Sequence, residues 1–387
     1  MNKNVTIIGA GLAGSEAALQ LAKHGFNVTV FEAKPHLLKA YKLNSIAELV
    51  CNNSFGERDI SKPKGMLISE LIKEKSELIS IAQCCAINDP KYLAVDVVKF
   101  SNHVKSALEN EKINYISKEI RKVPESSHPL IIATGPLTSI KFADSISNLF
   151  NIKYSKFTDA CCPIIDINSV DLKDKGVRRQ NDDLFELEIE ADTFVKFADA
   201  LAKGKISEKY KDNFSFDFYN LYTVEALVKN DINLNLIKSR FNIIGNRVII
   251  YLRRESALKN GFILAGCTTM LSNSSQKRAF SILPGLANCK FIRFGRMHRN
   301  TFFHSPGHLD SFYNIIDTNV FLIGQISGID GYTEAISSGL IAANRIIYGQ
   351  SLKSYSTTTM MGALAHYVSN KDITNFQPMG ASFSLFL

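Results

Sequence analysis

No apolar run in this 387-residue sequence is long enough to cross a bilayer. The longest, such as Val248 to Leu252, fall well short of the roughly 20 residues that a spanning helix needs. A membrane protein is therefore not expected. The amino terminus passes from Met1-Asn2-Lys3-Asn4 straight into an apolar strand, so we expect no signal peptide. The seven cysteines contain no Cys-x-x-Cys spacing, are odd in number and include two adjacent pairs, Cys84-Cys85 and Cys161-Cys162. That pattern fits neither a disulfide framework nor a zinc site, and it predicts reduced cysteines, no metal and a cytoplasmic location. Internal repeats and low-complexity tracts are also missing. Charge is only mildly lopsided: the net value of +8 suits a polyanion without requiring one, and gives no reason to expect DNA.

What the sequence does contain is an ordered opening. Asn4 to Ile8 is an apolar strand that delivers the chain to Gly9-Ala10-Gly11-Leu12-Ala13-Gly14, a Gly-x-Gly-x-x-Gly segment. Gly9 allows the tight turn, Gly11 lets the backbone approach a pyrophosphate, and Gly14 lets the following helix pack closely, so that its first N–H groups face the phosphates. Ala13, Ala17, Ala18, Leu21 and Ala22 give that helix a small-residue face, and Gly25 is placed to stop it. A second strand, Phe26 to Phe31, ends at Glu32, eighteen positions after Gly14, where an acidic side chain grips a ribose diol. Strand, glycines, helix, strand and terminal acid in register predict a dinucleotide site.

Further along, Ile46, Leu49 and Val50 give a short helical pattern ending at Cys51-Asn52-Asn53-Ser54, which puts Cys51 at the lip of the first domain. On local sequence a buried structural cysteine is the competing reading. Gly65 to Ser80 reads as one amphipathic helix. Pro129 to Gly135 is an apolar strand ending in Ala133-Thr134-Gly135, a second mark of two-dinucleotide flavoproteins that ranks FAD above NAD. From about 156 to 254 charges are dense and helical patterns short, which predicts an inserted domain. The last third returns to the first domain. A buried strand breaks at Gly324, and Gly328-Ile329-Asp330-Gly331-Tyr332 opens a helix over Thr333 to Tyr348, suited to the ribityl and pyrimidine end of a flavin. The expected fold is thus α/β: a two-dinucleotide-type, Rossmann-like FAD-binding domain over 1–155 and 255–387, interrupted by a smaller α+β domain over 156–254.

Several segments together resemble the folate- and FAD-dependent uracil-5 methyltransferases of bacterial RNA. They are Gly9 to Ala17, Ala47-Glu48-Leu49-Val50-Cys51, Ile131 to Ser139, Asp159-Ala160, Gln276-Lys277-Arg278, Ile282 to Leu286, Met297-His298-Arg299-Asn300-Thr301-Phe302, Thr357-Thr358-Thr359 and Asn375 to Met379. The resemblance implies a carbon donor, methylenetetrahydrofolate, with electrons from NADH or NADPH and a partner in structured RNA, either a tRNA T-loop or 23S rRNA. It also implies a thiolate that adds to C6 of uracil, making C5 nucleophilic. Cys51 matches the family's cysteine in its Ala-Glu-Leu-Val-Cys segment. His298, Arg299 and Asn300 are implied to face flavin, folate or RNA phosphate, with a loop anchor as the alternative. Lys277, Arg278, Arg293, Arg296, Arg253 and Arg254 are candidates for an RNA-facing surface.

The chain also departs from that pattern. Where the family carries a second cysteine, the best counterpart is Leu221 in Asn220-Leu221-Tyr222-Thr223-Val224-Glu225-Ala226, and Phe55-Gly56 replaces a leucine and an arginine. The insert from Asp166 to about Phe241 is shorter than usual. Cys51 acting alone is the first reading and a substitute thiol at Cys161 or Cys162 the second; a shifted alignment and loss of methyl transfer stay open. Two rivals stand beside the methyltransferase: a flavin-bound RNA-binding protein without methyl transfer, and a wobble-uridine tRNA modifier.

Overall fold

Alternating and continuous apolar residues in Asn4–Ile8 make a strand buried on both faces, which only a central position between helices can satisfy. The computed structural model describes residues 3–34, 45–210, 223–229, 241–255, 258 and 260–386. In chain order the first strands are β1 (Asn4–Ile8), β2 (Asn27–Glu32), β3 (Ser54–Glu57), β4 (Tyr92–Ala94), β5 (Asn114–Ser117) and β6 (Leu130–Ile132). Then come β7 (Tyr154–Cys161), β8 (Ile164–Asp166), β9 (Val177–Asn181), β10 (Leu184–Glu190), β11 (Asn242–Ile244) and β12 (Arg247–Glu255). The last are β13 (Gly261–Leu264), β14 (Phe291–Arg293), β15 (Arg296–Phe303) and β16 (Val320–Leu322).

The first sheet is parallel throughout, in the order β16-β6-β1-β2-β5. Parallel neighbours need crossovers, and the helices Leu12–Lys23 and Val97–Asn110 lie in two of them. Gly25, at φ +78°, turns the chain after the first helix and donates to the carbonyl of Ala22. A single large core unites residues from both ends of the chain, from Val5 to Leu385. This is the α/β, Rossmann-like architecture read from the sequence.

A second, antiparallel sheet runs β14-β8-β13-β12-β10-β9, with β11 on β12. Its own core gathers Ile165, Leu187, Phe197, Ile250, Leu264, Phe280 and their neighbours, with the helix Ala191–Ala202 packed on it. The expected boundary at 254 falls inside β12, whose Arg254 pairs with Phe262 of β13, and the sheet runs on to β14 near residue 293. Pattern alone could not show that, because β13 is apolar enough to pass for a strand of either sheet. Between the two sheets runs an antiparallel ribbon, β7 with β15, from Tyr154 opposite Phe303 to Cys161 opposite Arg296.

Two local expectations give way. Residues 46 and 47 form a turn and 48–50 an irregular stretch rather than a helix, with Ala47 at φ +48° and its N–H on the Ala10 carbonyl at 2.8 Å. The helix expected over Gly65 to Ser80 is two, Pro63–Lys73 and Glu77–Cys84. Lys75 at φ +57° breaks it, and Ser76 starts the second piece by accepting the Ile79 N–H. The buried carboxylate of Glu16 accepts from the Ser76 hydroxyl and the N–H groups of Glu77 and Leu78, which makes the break a docking point for the first helix. Burial is the main influence on Glu16 and pushes its carboxyl up. No helix among the described residues is long and apolar enough to cross a membrane.

Candidate functional site

The glycine loop has the geometry that its spacing predicts. Gly9, at φ +107°, lies so close to β6 that a Cβ there would sit 2.3 Å from the Ala133 carbonyl oxygen. A Cβ on Gly14 would sit 1.9 Å from the Gly9 carbonyl oxygen, so the helix rests directly on the turn. Gly11 differs: a Cβ there meets nothing within 4 Å. The loop keeps that space clear in front of the helix Leu12–Lys23, whose start has no side-chain cap and no acidic residue in its first turn. Ala10, Leu12 and Ala13 complete this turn, and the unfilled space and unpaired helical N–H groups suit a pyrophosphate.

Glu32, at the end of β2, accepts the Ala10 N–H at 2.7 Å with one carboxylate oxygen and the Lys34 N–H at 3.0 Å with the other. Its remaining lone pairs are available to a ribose diol. Below the loop, Thr134 shares a hydrogen bond with Thr138, and Gly135, at φ +68°, has open space at its Cβ position. On the far side, a Cβ on Gly324, at φ +76°, would sit 3.1 Å from the Ala13 methyl, and the Gly324 N–H donates to the Ser338 hydroxyl at 2.8 Å. Gly331, at φ +125°, opens the helix Tyr332–Tyr348, whose start is also free of a side-chain cap. Gly339 of that helix packs against the Ala13 carbonyl of the first helix, with 2.3 Å left for a Cβ. Three separated segments thus come together, the Gly9–Gly14 turn, Ala133 with Gly135, and Gly324; the space kept clear at Gly11 and Gly135 fits a flavin dinucleotide, whereas a Cβ on Gly331 would meet Glu334 and Lys64.

Cys51 is half-buried and lies against the start of the helix Tyr332–Tyr348. Its N–H donates to the Tyr332 hydroxyl oxygen at 2.8 Å, and the Asn52 N–H reaches the same oxygen at 3.4 Å. The next residue of the helix, Thr333, donates to the Phe55 carbonyl at 2.9 Å. Tyr332 was not singled out from the sequence. The available signal was an aromatic hydroxyl at the first position of a helix entered through glycines. Burial is the chief reason that its phenol is held well above the ordinary tyrosine range, with the neighbouring Cys51 and Cys161 adding to it. It therefore stays neutral and acts as a fixed acceptor.

Cys161 and Cys162 part company. The Cys161 sulfur lies 3.9 Å from the Val50 carbonyl oxygen, next to Cys51. Cys162 instead joins Ile164 and Ile263 in a small apolar cluster, while its carbonyl accepts from Arg293 at 3.4 Å. A vicinal pair acting together at the site is therefore not what the fold presents. Opposite Cys161 stands Arg296; its Nε, and Nε and Nη1 of Arg293, are buried without hydrogen-bond partners among the described residues.

In β15, His298 pairs in register with Asp159, Arg299 with Thr158 and Asn300 with Phe157. Asn300 is buried; the side chains of His298 and Arg299 lie outside the described residues, as does Leu221. The segment after Leu221 is anchored on the loop 268–270: Val224 N–H donates to the Thr268 carbonyl at 2.8 Å, and Glu225 accepts the Met270 N–H at 2.7 Å. Burial raises the Glu225 carboxyl. Thr269 packs on Gly295, so this motif reaches the Arg296–Cys161 end of the ribbon. Arg253 is not part of an RNA-facing surface: it pairs with Asp89 at 2.8 Å, both side chains enclosed, beneath the Tyr92 ring. Lys277 and Arg278 are exposed.

Residues 4–350 match the family described as glucose inhibited division protein A. The methylenetetrahydrofolate–tRNA-(uracil-5-)-methyltransferase TrmFO of Acetivibrio thermocellus is 33% identical over 399 aligned residues, covering 98% of this chain and 91% of that protein. The protein of the same name from Brevibacillus brevis is 34% identical, with the same coverage of each chain. That of Bacillus subtilis is 32% identical, over 99% of this chain and 92% of the other. Among solved structures, GidA of Aquifex aeolicus superposes with a TM-score of 0.72 at 17% identity, covering 97% of this chain and 70% of that one. That likeness shows the fold, and the resemblance read from the motifs is borne out. The chain belongs to the glucose inhibited division protein A family and, within it, to the TrmFO uracil-5 methyltransferases.

Proposed function

We propose that this protein methylates C5 of a uridine in tRNA, taking the carbon from methylenetetrahydrofolate. The observation that carries the reading is Cys51, held by Tyr332 at the start of a helix that packs against the helix of the glycine loop. Relatives that bear this activity in their names match over nearly the whole chain, which supports both the RNA substrate and the folate donor. FAD, when bound, would carry the one-carbon unit and pass on the electrons of NADH or NADPH that complete a methyl group. Gly9 to Gly14 would hold its pyrophosphate, Glu32 its ribose, and Thr134, Gly135, Gly324 and Gly331 the remainder.

The residues of the chain do the rest. The Cys51 thiolate adds to C6 of the uracil, and the enolate so formed makes C5 the attacking carbon. Loss of the C5 proton and expulsion of the thiolate then restore the aromatic base. Tyr332, by fixing the Cys51 and Asn52 N–H groups, aims the sulfur at one place; a fixed nucleophile gives up little freedom when the base arrives. The uridine must be unstacked to reach that depth, which costs least in a loop. Of the β15 residues, His298 and Arg299, on opposite faces of the strand, would supply contacts to the donor or the RNA, and the buried Asn300 would anchor the strand beside them. Because tRNA is the substrate, the reaction belongs in the cytoplasm.

Purified protein supplied with FAD, methylenetetrahydrofolate and NADPH is incubated with unmodified tRNA and, separately, with a 23S rRNA fragment. Nucleosides are then analysed by mass spectrometry. 5-Methyluridine in tRNA is expected. Product only in the rRNA would move the substrate, and product in neither, with RNA still bound, would favour a binding protein without methyl transfer. Undiminished turnover in Cys51→Ala would remove Cys51 from the chemistry.

A further inference from the structure

Leu221 leaves the chain without a cysteine where its relatives are expected to have their second one, yet the fold brings another sulfur to Cys51. The Cys161 Sγ is 3.9 Å from the Val50 carbonyl oxygen, and that carbonyl is bonded to the Cys51 nitrogen. The Tyr332 hydroxyl takes the Cys51 N–H at 2.8 Å, and both cysteines are near enough to it to act on its ionisation. The two cysteines differ in access: Cys51 is half-buried, whereas Cys161 is wholly enclosed. Cys161 ends β7 at a position fixed by its register opposite Arg296, so its place beside Cys51 is set by the ribbon. A reachable sulfur backed by an enclosed one is the arrangement of an attacking and a resolving thiol.

We propose that Cys161 is the resolving partner of Cys51, and that the pair forms a reversible disulfide in exchange with low-molecular-weight disulfides. The Cys51 thiolate attacks one sulfur of the external disulfide, making a mixed disulfide and releasing a thiolate that takes up the proton Cys51 lost. Cys161, giving up its own proton, then attacks the Cys51 sulfur. The mixed bond breaks, the second external thiol leaves with that proton, and the Cys51–Cys161 bond remains. Two protein thiols are oxidised and one external disulfide is reduced to two thiols. While the bond holds, Cys51 cannot add to a base, so the site is switched off without damage, and the enclosed sulfur prevents a bulky adduct from remaining on Cys51.

This inference rests on Cys51 being the reactive thiol of the site. FAD-loaded protein is treated with oxidised glutathione without RNA or donor, quenched with N-ethylmaleimide, digested and mapped by mass spectrometry. We expect a Cys51–Cys161 linked peptide, two glutathiones released per chain, and a loss of methyl transfer of at least about tenfold that dithiothreitol reverses. In Cys161→Ser, and in Cys161→Ala should serine disturb the core, Cys51 should instead retain glutathione. A wild-type map in which Cys51 stays glutathionylated, stays unmodified, or links to Cys162 overturns the proposal. The linkage is read without turnover, so a linked pair in a protein that transfers no methyl group would sink the function and leave the pair standing.

Discussion

The phenol oxygen of Tyr332 takes the backbone N–H of Cys51 at 2.8 Å, tying the start of a late helix to a loop from the first domain segment. Tyr332→Phe keeps the ring, with its edge-on contact to Phe55, and removes only the acceptor. Leaving two N–H groups short of a partner costs about 1–3 kcal/mol. We expect kcat to fall by about tenfold with a modest fall in Tm. Wild-type turnover in a steady-state assay would contradict the positioning role.

Gly11 and Gly14 separate ligand space from fold space. Gly11→Ala adds a methyl where no protein atom lies within 4 Å, so the apoprotein should unfold at the wild-type temperature while FAD binding weakens by about tenfold or more. Gly14→Ala drives a methyl to 1.9 Å from the Gly9 carbonyl and should lower stability by about 1–3 kcal/mol. Calorimetry of the apoprotein and flavin titration distinguish the two. Equal effects in both variants would refute the assignment of that space to the cofactor.

Glu32 holds Ala10 and Lys34 through one oxygen each. Glu32→Gln retains one acceptor and introduces a donor that faces N–H groups. Flavin retention through gel filtration should drop, with affinity reduced by about tenfold or more.

Glu334 is fully enclosed; it pairs with Lys64 and accepts the Ala381 N–H at 2.7 Å. Lys64→Met strands the carboxylate and should cost about 1–3 kcal/mol, less than a wholly buried pair because Lys64 is one-third exposed. Urea unfolding measures the loss, and an unchanged midpoint would show that the pair is dispensable.

His304 is depressed below the ordinary histidine value, first by burial and then by Lys153. A depressed folded value means the native state prefers the neutral ring, so its contribution is present above the unfolded value near 6.5 and is lost as pH falls through the folded one. Wild-type stability should thus decline more than that of His304→Gln between about pH 7 and 5 in paired urea titrations. Parallel curves would count against it.

Much of the cradle was legible because it depends on local rules. Strand, glycine spacing, helix and terminal acid lie within 32 residues, and Gly9 and Gly14 each answer a steric demand seen in the fold, while Gly11 leaves space clear. The irregular 46–50 stretch was not, because Ala47 adopts a left-handed conformation only under the pull of the Ala10 carbonyl. The break at Lys75 and Ser76 likewise depends on Glu16, sixty residues earlier. Tyr332 and Cys161 acquire meaning only from partners far away in sequence, as Arg253 loses its surface role to Asp89. The second sheet outran its expected edge because an apolar strand does not declare which sheet it joins.

Strands β7 and β15 run side by side for eight residue pairs, and between their ends the chain makes the whole antiparallel unit. Departure and return are therefore zipped together like the neck of a flask. Beyond that neck β12 is also pinned to the first domain, by Arg253 on Asp89 and by Asn53 on the Arg254 carbonyl, so it is the segments away from those two contacts that can lose or gain length without moving the rim. A chain with a trimmed bulb can thereby keep its mouth intact, and the neck is the natural seam at which to graft the bulb of one relative onto another.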